Sequence, residues 1–94
     1  MPGQQFDRAA AGAAAKTFFD RLWTEGDPWD LETSPLDQER YRRQLDLVGD
    51  RRYGRVLEVG CAAGAFTERL VTVADSVVAL DIADAAVEAA RARP

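Results

Sequence analysis

Apolar and polar positions alternate along the chain in patterns that predict separate elements. Arg8 to Thr24 is Ala-rich and closes with Phe18, Phe19, Leu22 and Trp23. Phe18 and Leu22 stand one helical turn apart, as do Phe19 and Trp23, so the segment predicts a helix with one apolar stripe. That stripe reads as packing surface rather than as a cofactor site. Gly12 weakens the first half of the helix by about 1 kcal/mol relative to Ala. Met1 to Gln5 predicts a frayed tail. Pro28 ends helical structure in Glu25-Gly26-Asp27-Pro28-Trp29, because it fixes its own φ and excludes Asp27 from helical angles. Ser34, Pro35 and Asp37 then predict a helix start, with Ser34 as N-cap, and Gly49 ends that helix after Val48. Tyr41, Leu45 and Val48 form its apolar face. Asp50 to Gly54 reads as a polar linker.

Arg55 to Val59 is mostly apolar and β-branched between two glycines, which predicts a short strand covered on both faces. Ala65 to Ala74 predicts a crossover helix with Phe66, Leu70 and Val73 on one face. Ser76 to Leu80 predicts a second buried strand ending in Asp81. Ala83 to Arg91 predicts a last helix with Ala83 in the cap position, a loss of about 1 kcal/mol unless Asp81 or Asp84 compensates. Two strands joined by a helix imply a parallel, right-handed unit and an α/β fold.

The chemistry concentrates where the first strand ends. Gly60 is free to take backbone angles closed to other residues and lets a ligand approach the main chain. Cys61, Ala62 and Ala63 are small enough to keep that approach open. Gly64 allows close packing where the next helix begins. Unpaired N–H groups there favour a polar or anionic ligand group. Glu58 is a carboxylate at the tip of a buried strand, which is costly unless a cationic or hydroxyl-bearing group pairs with it. Asp81 ends the next strand, about twenty positions on, where dinucleotide-binding folds place the acid that holds a ribose hydroxyl. Trp29 lies on an irregular loop, either plugging a core or covering a ligand. Arg40, Arg42 and Arg43 flank an apolar helix face, where a solvated rim is the simplest reading.

Composition narrows the field. The 94 residues permit one domain, and 47% hydrophobic with 30% charged residues describes a globular chain. The net charge of −4 and the lack of a basic tract exclude a phosphate-neutralising surface, so no nucleic-acid partner is expected. One Cys and no His exclude a disulfide framework and a Cys/His metal site within one chain. No apolar run approaches a membrane span, and the Ala-rich start lacks the large-apolar core of a signal peptide. The expected location is therefore the cytoplasm, with no membrane partner.

Glu58, Gly60 and Gly64 match E/D-x-G-x-x-x-G, and the stretch resembles the first motif of class I S-adenosylmethionine-dependent methyltransferases. Asp27-Pro28-Trp29, Ser34, Asp37, Arg40-Tyr41 and Leu45 are similar to the amino-terminal pattern of the nodulation protein S-like family. Leu36 stands where an aromatic is common, and Asp37 replaces the usual Glu. The resemblance covers roughly Thr17 to Arg93. It implies a Rossmann-like fold and S-adenosylmethionine as cofactor. Glu58 would lie near the cofactor's amino acid end, the Gly60–Gly64 turn beneath it, and Asp81 on the ribose. Cys61, Ala62, Ile82, Trp29 and Arg40 would complete the cofactor contacts, with the Trp29 loop and the Pro35 helix as a lid. Members methylate the free amine at the end of a chitin-like oligosaccharide, so a small-molecule amine or amino sugar is the implied substrate. No residue is a convincing general base.

The same resemblance divides the chain into residues 1–16 (tail or frayed helix), 17–49 (helical cap) and 50–94 (first half of the cofactor-binding domain). A fold of this class needs a larger sheet than two strands. The chain is therefore expected to be an amino-terminal half, inactive alone, with an open sheet edge available for association. Two alternatives stand beside it: a truncated, non-catalytic paralogue that pairs through that edge, and a fragment of a nicotinamide-dependent oxidoreductase. The second fits less well, because G-x-G-x-x-G is missing and Glu58 has no use near a pyrophosphate.

Overall fold

The computed structural model describes residues 7–94, so the expected tail at Met1–Gln5 lies outside the described residues. The elements are α1 (Arg8–Trp23), α2 (Pro35–Val48), β1 (Tyr53–Val59), α3 (Thr67–Leu70), β2 (Ala74–Leu80) and α4 (Asp84–Arg91). β1 and β2 pair in parallel, with Arg55 opposite Ser76 and Val59 opposite Leu80. The fold is thus α/β, with two helices ahead of a β-α-β-α unit.

α1 is helical throughout, including Gly12, and the Asp7 side chain accepts from Ala10 N at its start. Its buried anchor is Trp23, which packs with Ala83 and Ala86 of the β2–α4 corner. Two polar side chains, Asp20 and Lys16, fix the same docking. The Asp20 carboxylate accepts from Ala85 N at 3.0 Å, and Lys16 Nζ donates to Ile82 O at 3.2 Å and pairs with Asp84. α2 begins as its sequence predicts, with the Ser34 side chain accepting from Asp37 N and Pro35 in the first turn. Tyr41 is its buried residue and stacks on Phe66 at 5.7 Å between ring centroids. Leu45 is half-buried and Val48 is exposed, so the face is narrower than its spacing predicts.

Three expectations need correction. The crossover helix is short: only Thr67–Leu70 is α-helical, and Ala74 already belongs to β2. The run Val71-Thr72-Val73 is β-branched and loses side-chain freedom in a helix, which favours early exit towards the strand. Tyr53 and Gly54, expected in a polar linker, extend β1, and Tyr53 N donates to Val73 O at 2.8 Å. The strands are also not covered on both faces. Val56 and Val77 are half-buried, but Leu57, Val59, Val78 and Leu80 are 62, 77, 59 and 50% exposed. Register puts Leu57 beside Val78 and Val59 beside Leu80, so these four make one continuous uncovered apolar face. Among the described residues no helix lies across it.

Candidate functional site

The β1–α3 loop is shaped by backbone angles that few residues accept. Gly60, Ala62 and Gly64 have φ of 77°, 52° and 90°. At Gly60 an added Cβ meets nothing within 4 Å, so glycine answers to the backbone angle alone. At Gly64 a Cβ would come within 3.3 Å of Ala90 Cβ and 3.0 Å of Arg93 Cδ, so this glycine also admits α4. Gly60 N and Cys61 N both donate to Leu80 O, at 2.7 and 2.9 Å, which ties the loop to the tip of β2.

Asp81 fixes the other side of the loop. Its Oδ2 accepts from Ala62 N and its Oδ1 from Ala83 N, each at 2.9 Å. One carboxylate therefore steadies both the left-handed Ala62 and the approach to α4. Glu58 is half-buried and accepts a hydrogen bond from the Thr67 hydroxyl at the start of α3. Among the described residues it forms no ion pair. Among the described residues this carboxylate is met by one hydroxyl, where the sequence pointed to a ligand group. Thr67 was not singled out by spacing; its only signal was a hydroxyl at the next helix start.

Two clefts flank the loop and share Gly60 and Ala62. The larger, about 630 Å³, holds Glu58, Cys61 and Arg40 against Tyr41 and Phe66. The smaller, about 260 Å³, holds Asp81 and Ile82 against Phe19, Trp23 and Trp29. The structure thus brings Glu58, Gly60, Cys61, Ala62, Asp81, Ile82, Trp29 and Arg40 to one loop and its margins. Gly64 stands apart, beneath α4. The choice left open for Trp29 is resolved by its neighbour: Trp23, 5% exposed, is the core plug. Trp29 is 49% exposed and sits edge-on to Trp23 at 6.0 Å. Asp27 holds the Trp29 loop by accepting from the Trp29 and Leu31 amides.

Arg40 is exposed, pairs with Asp37 at 2.9 Å and lies 5.3 Å from the Tyr41 ring centroid. It is both a rim residue and a wall of the larger cleft. Burial, reinforced by the negative charges of Asp81 and Glu58, pushes the Cys61 thiol up, which disfavours the reactive thiolate. Arg93, which sequence reasoning passed over, pairs with Glu32 and Glu68 and donates to Ala63 O. It ties the loop before α2 to the glycine turn. Among the described residues no group of three or more His, Cys, Asp or Glu is placed to hold a metal ion, and no helix is long and apolar enough to cross a membrane.

Comparison with known proteins gives one consistent family. The family model for nodulation protein S (NodS) matches residues 11–94. Nodulation protein S of Bradyrhizobium diazoefficiens is 44% identical over 70 residues, covering 71% of this chain and 32% of that protein. Its counterpart in Azorhizobium caulinodans is 38% identical over 68 residues, covering 71% and 33%. The chain spans about a third of the length of these curated relatives. The crystal structure of the N-methyltransferase NodS from Bradyrhizobium japonicum, in complex with S-adenosyl-L-homocysteine, superimposes with a TM-score of 0.71. That match has 33% sequence identity and covers 80% of this chain and 39% of the other.

Proposed function

The chain belongs to the nodulation protein S family, and on that premise we propose that it forms the S-adenosylmethionine-binding part of a methyltransferase. One observation carries the reading: a single glycine loop joins a cleft containing Glu58 to a cleft containing Asp81. An elongated ligand with an ammonium at one end and a ribose near the other needs that arrangement of carboxylates. The residues fit the group. Among the described residues Glu58 is a half-buried carboxylate without a cation, and each Asp81 oxygen retains acceptor capacity beyond its one backbone bond.

In this reading Glu58 receives the α-ammonium and Asp81 a ribose hydroxyl. Gly60, Cys61 and Ala62 let the main chain lie close beneath the ligand. Trp29 and Ile82 line the ribose side, and Arg40 closes the margin of the larger cleft. Residues 17–49 act as a cap over the loop built by residues 50–94. The bound cofactor supplies an activated methyl group on a sulfonium. The protein's part is then to position the acceptor in line and exclude water, which needs no metal ligand or nucleophilic side chain. The acceptor we propose is the free amine of a small molecule or amino sugar, as suits a solved relative named an N-methyltransferase, and the setting is the cytoplasm.

The test is a titration followed by amide resonances. S-adenosylmethionine is expected to shift the Gly60, Cys61, Ala62 and Ile82 amides, and NAD is expected to leave them unmoved. Equal or tighter binding of NAD would overturn the reading in favour of a nicotinamide enzyme.

A further inference from the structure

We infer that Thr67 is a positioning residue, whose hydroxyl holds the Glu58 carboxylate in the orientation that receives an ammonium group. The inference rests on the cofactor reading above. Thr67 opens α3, yet its hydroxyl does not cap that helix; it donates across the glycine turn to Glu58 Oε1, nine positions earlier. Hydroxyl-to-carboxylate bonds are short and charge-assisted, and they fix the acceptor's plane as well as its place.

The surroundings leave Glu58 little else. Among the described residues Thr67 is its one side-chain hydrogen-bond donor and no cation reaches it. With Oε1 held by Thr67, Oε2 carries no protein hydrogen bond among the described residues and faces a ligand with its full acceptor capacity in the larger cleft that Glu58 lines. A carboxylate free to rotate would have to be ordered on each binding event, at a cost in affinity. Thr67 removes that cost in advance. The ligand chemistry is therefore specific: the hydroxyl matters for a ligand that brings an ammonium to Glu58, and not for one that lacks it.

The experiment compares S-adenosyl-L-homocysteine with its analogue lacking the α-amino group, each titrated into the 94-residue chain and its variants. Thr67→Val is expected to weaken S-adenosyl-L-homocysteine about five- to tenfold, the scale of having to order one side chain on binding. It should change the deaminated analogue less than about twofold. Thr67→Ser keeps the hydroxyl and is expected to restore wild-type affinity. In a Glu58→Gln background, Thr67→Val should cost little more, because the two residues act as one unit. Amide dispersion checks folding, and Thr67→Ala replaces Thr67→Val if the valine variant loses it. Equal losses for both ligands would overturn the inference, since Thr67 would then serve only the fold. So would unchanged affinity for both. A wild-type chain that binds neither ligand would overturn the cofactor reading itself, and this inference with it.

Discussion

Asp81 shows how one side chain can steady two backbone segments at once. Both of its oxygens accept backbone N–H groups, from Ala62 and Ala83. Asp81→Ala is expected to lower the unfolding free energy by about 2 kcal/mol, because two half-buried donors lose their partner. Asp81→Asn should lose about half of that, since an amide keeps one acceptor oxygen. Urea denaturation decides it: equal losses would mean that charge, not the paired acceptors, is what matters. The two turn glycines separate in the same assay. Gly60→Ala meets only an unfavourable φ, worth about 1–2 kcal/mol. Gly64→Ala meets the same strain plus Ala90 and Arg93, so it should destabilise more. At this scale the sequence was informative about Glu58, Gly60 and Asp81, because strand tips and obligatory glycines leave local signatures. Thr67 left only an ambiguous one, since a threonine near a helix start ordinarily caps it. The division of labour between Trp23 and Trp29 was also hidden, because it depends on Ala83 and Ala86, some sixty positions away.

The elements differ in how locally they are specified. α2 carries its own start and stop in Ser34, Pro35 and Gly49, and its bounds follow from them. β1 and α3 do not. Tyr53 joins β1 because Ala74 stands opposite it, and α3 ends early because β2 must begin. The first boundary is not written near the residues concerned, and the second is written only in the β-branched run Val71-Thr72-Val73. α4 is the instructive case. Ala83 occupies its cap position with no side-chain bond, as its sequence implies. Asp81 and Asp84 were the candidates to compensate. Asp81 does bind Ala83 N, but the donor in the first turn, Ala85 N, is met by Asp20 from α1. Asp20→Ala is therefore expected to cost about 1 kcal/mol, a typical cap value, although Asp20 lies in another helix. Loss of helicity confined to α1 on this substitution, with α4 unchanged, would show that the contact does not cap.

The whole molecule has a thin interior. Its accessible surface is 7096 Å², against about 5,400 Å² for a compact folded monomer of its mass. No large side chain among the described residues is fully buried. The uncovered Leu57, Val59, Val78 and Leu80 face contributes to that excess, and open strand edges adjoin it. Sedimentation should accordingly show concentration-dependent association, reduced by Val59→Lys; a monomer at every concentration would show the face to be inert. Acid should loosen the link made by Arg93. That guanidinium holds the Glu32 carboxyl below its ordinary value of 4.5. Its contribution is thus complete above that value and fades as pH falls through the lowered folded-state value. The effect is small, because Glu32 is half exposed, and Arg93→Met should abolish that part of the pH dependence in denaturation curves. The Asp20 contact has a last consequence, in the order of folding. Its bond to Ala85 spans 65 positions, whereas the β1–β2 register joins residues about a third as far apart. Closing the longer loop costs more chain entropy, so the strand pair assembles first and α1 docks onto it late. The last element to arrive is also the first to leave. In native-state hydrogen exchange the α1 amides should open at a lower free energy than those of β1, and the Trp23 wall of the smaller cleft should come and go with them.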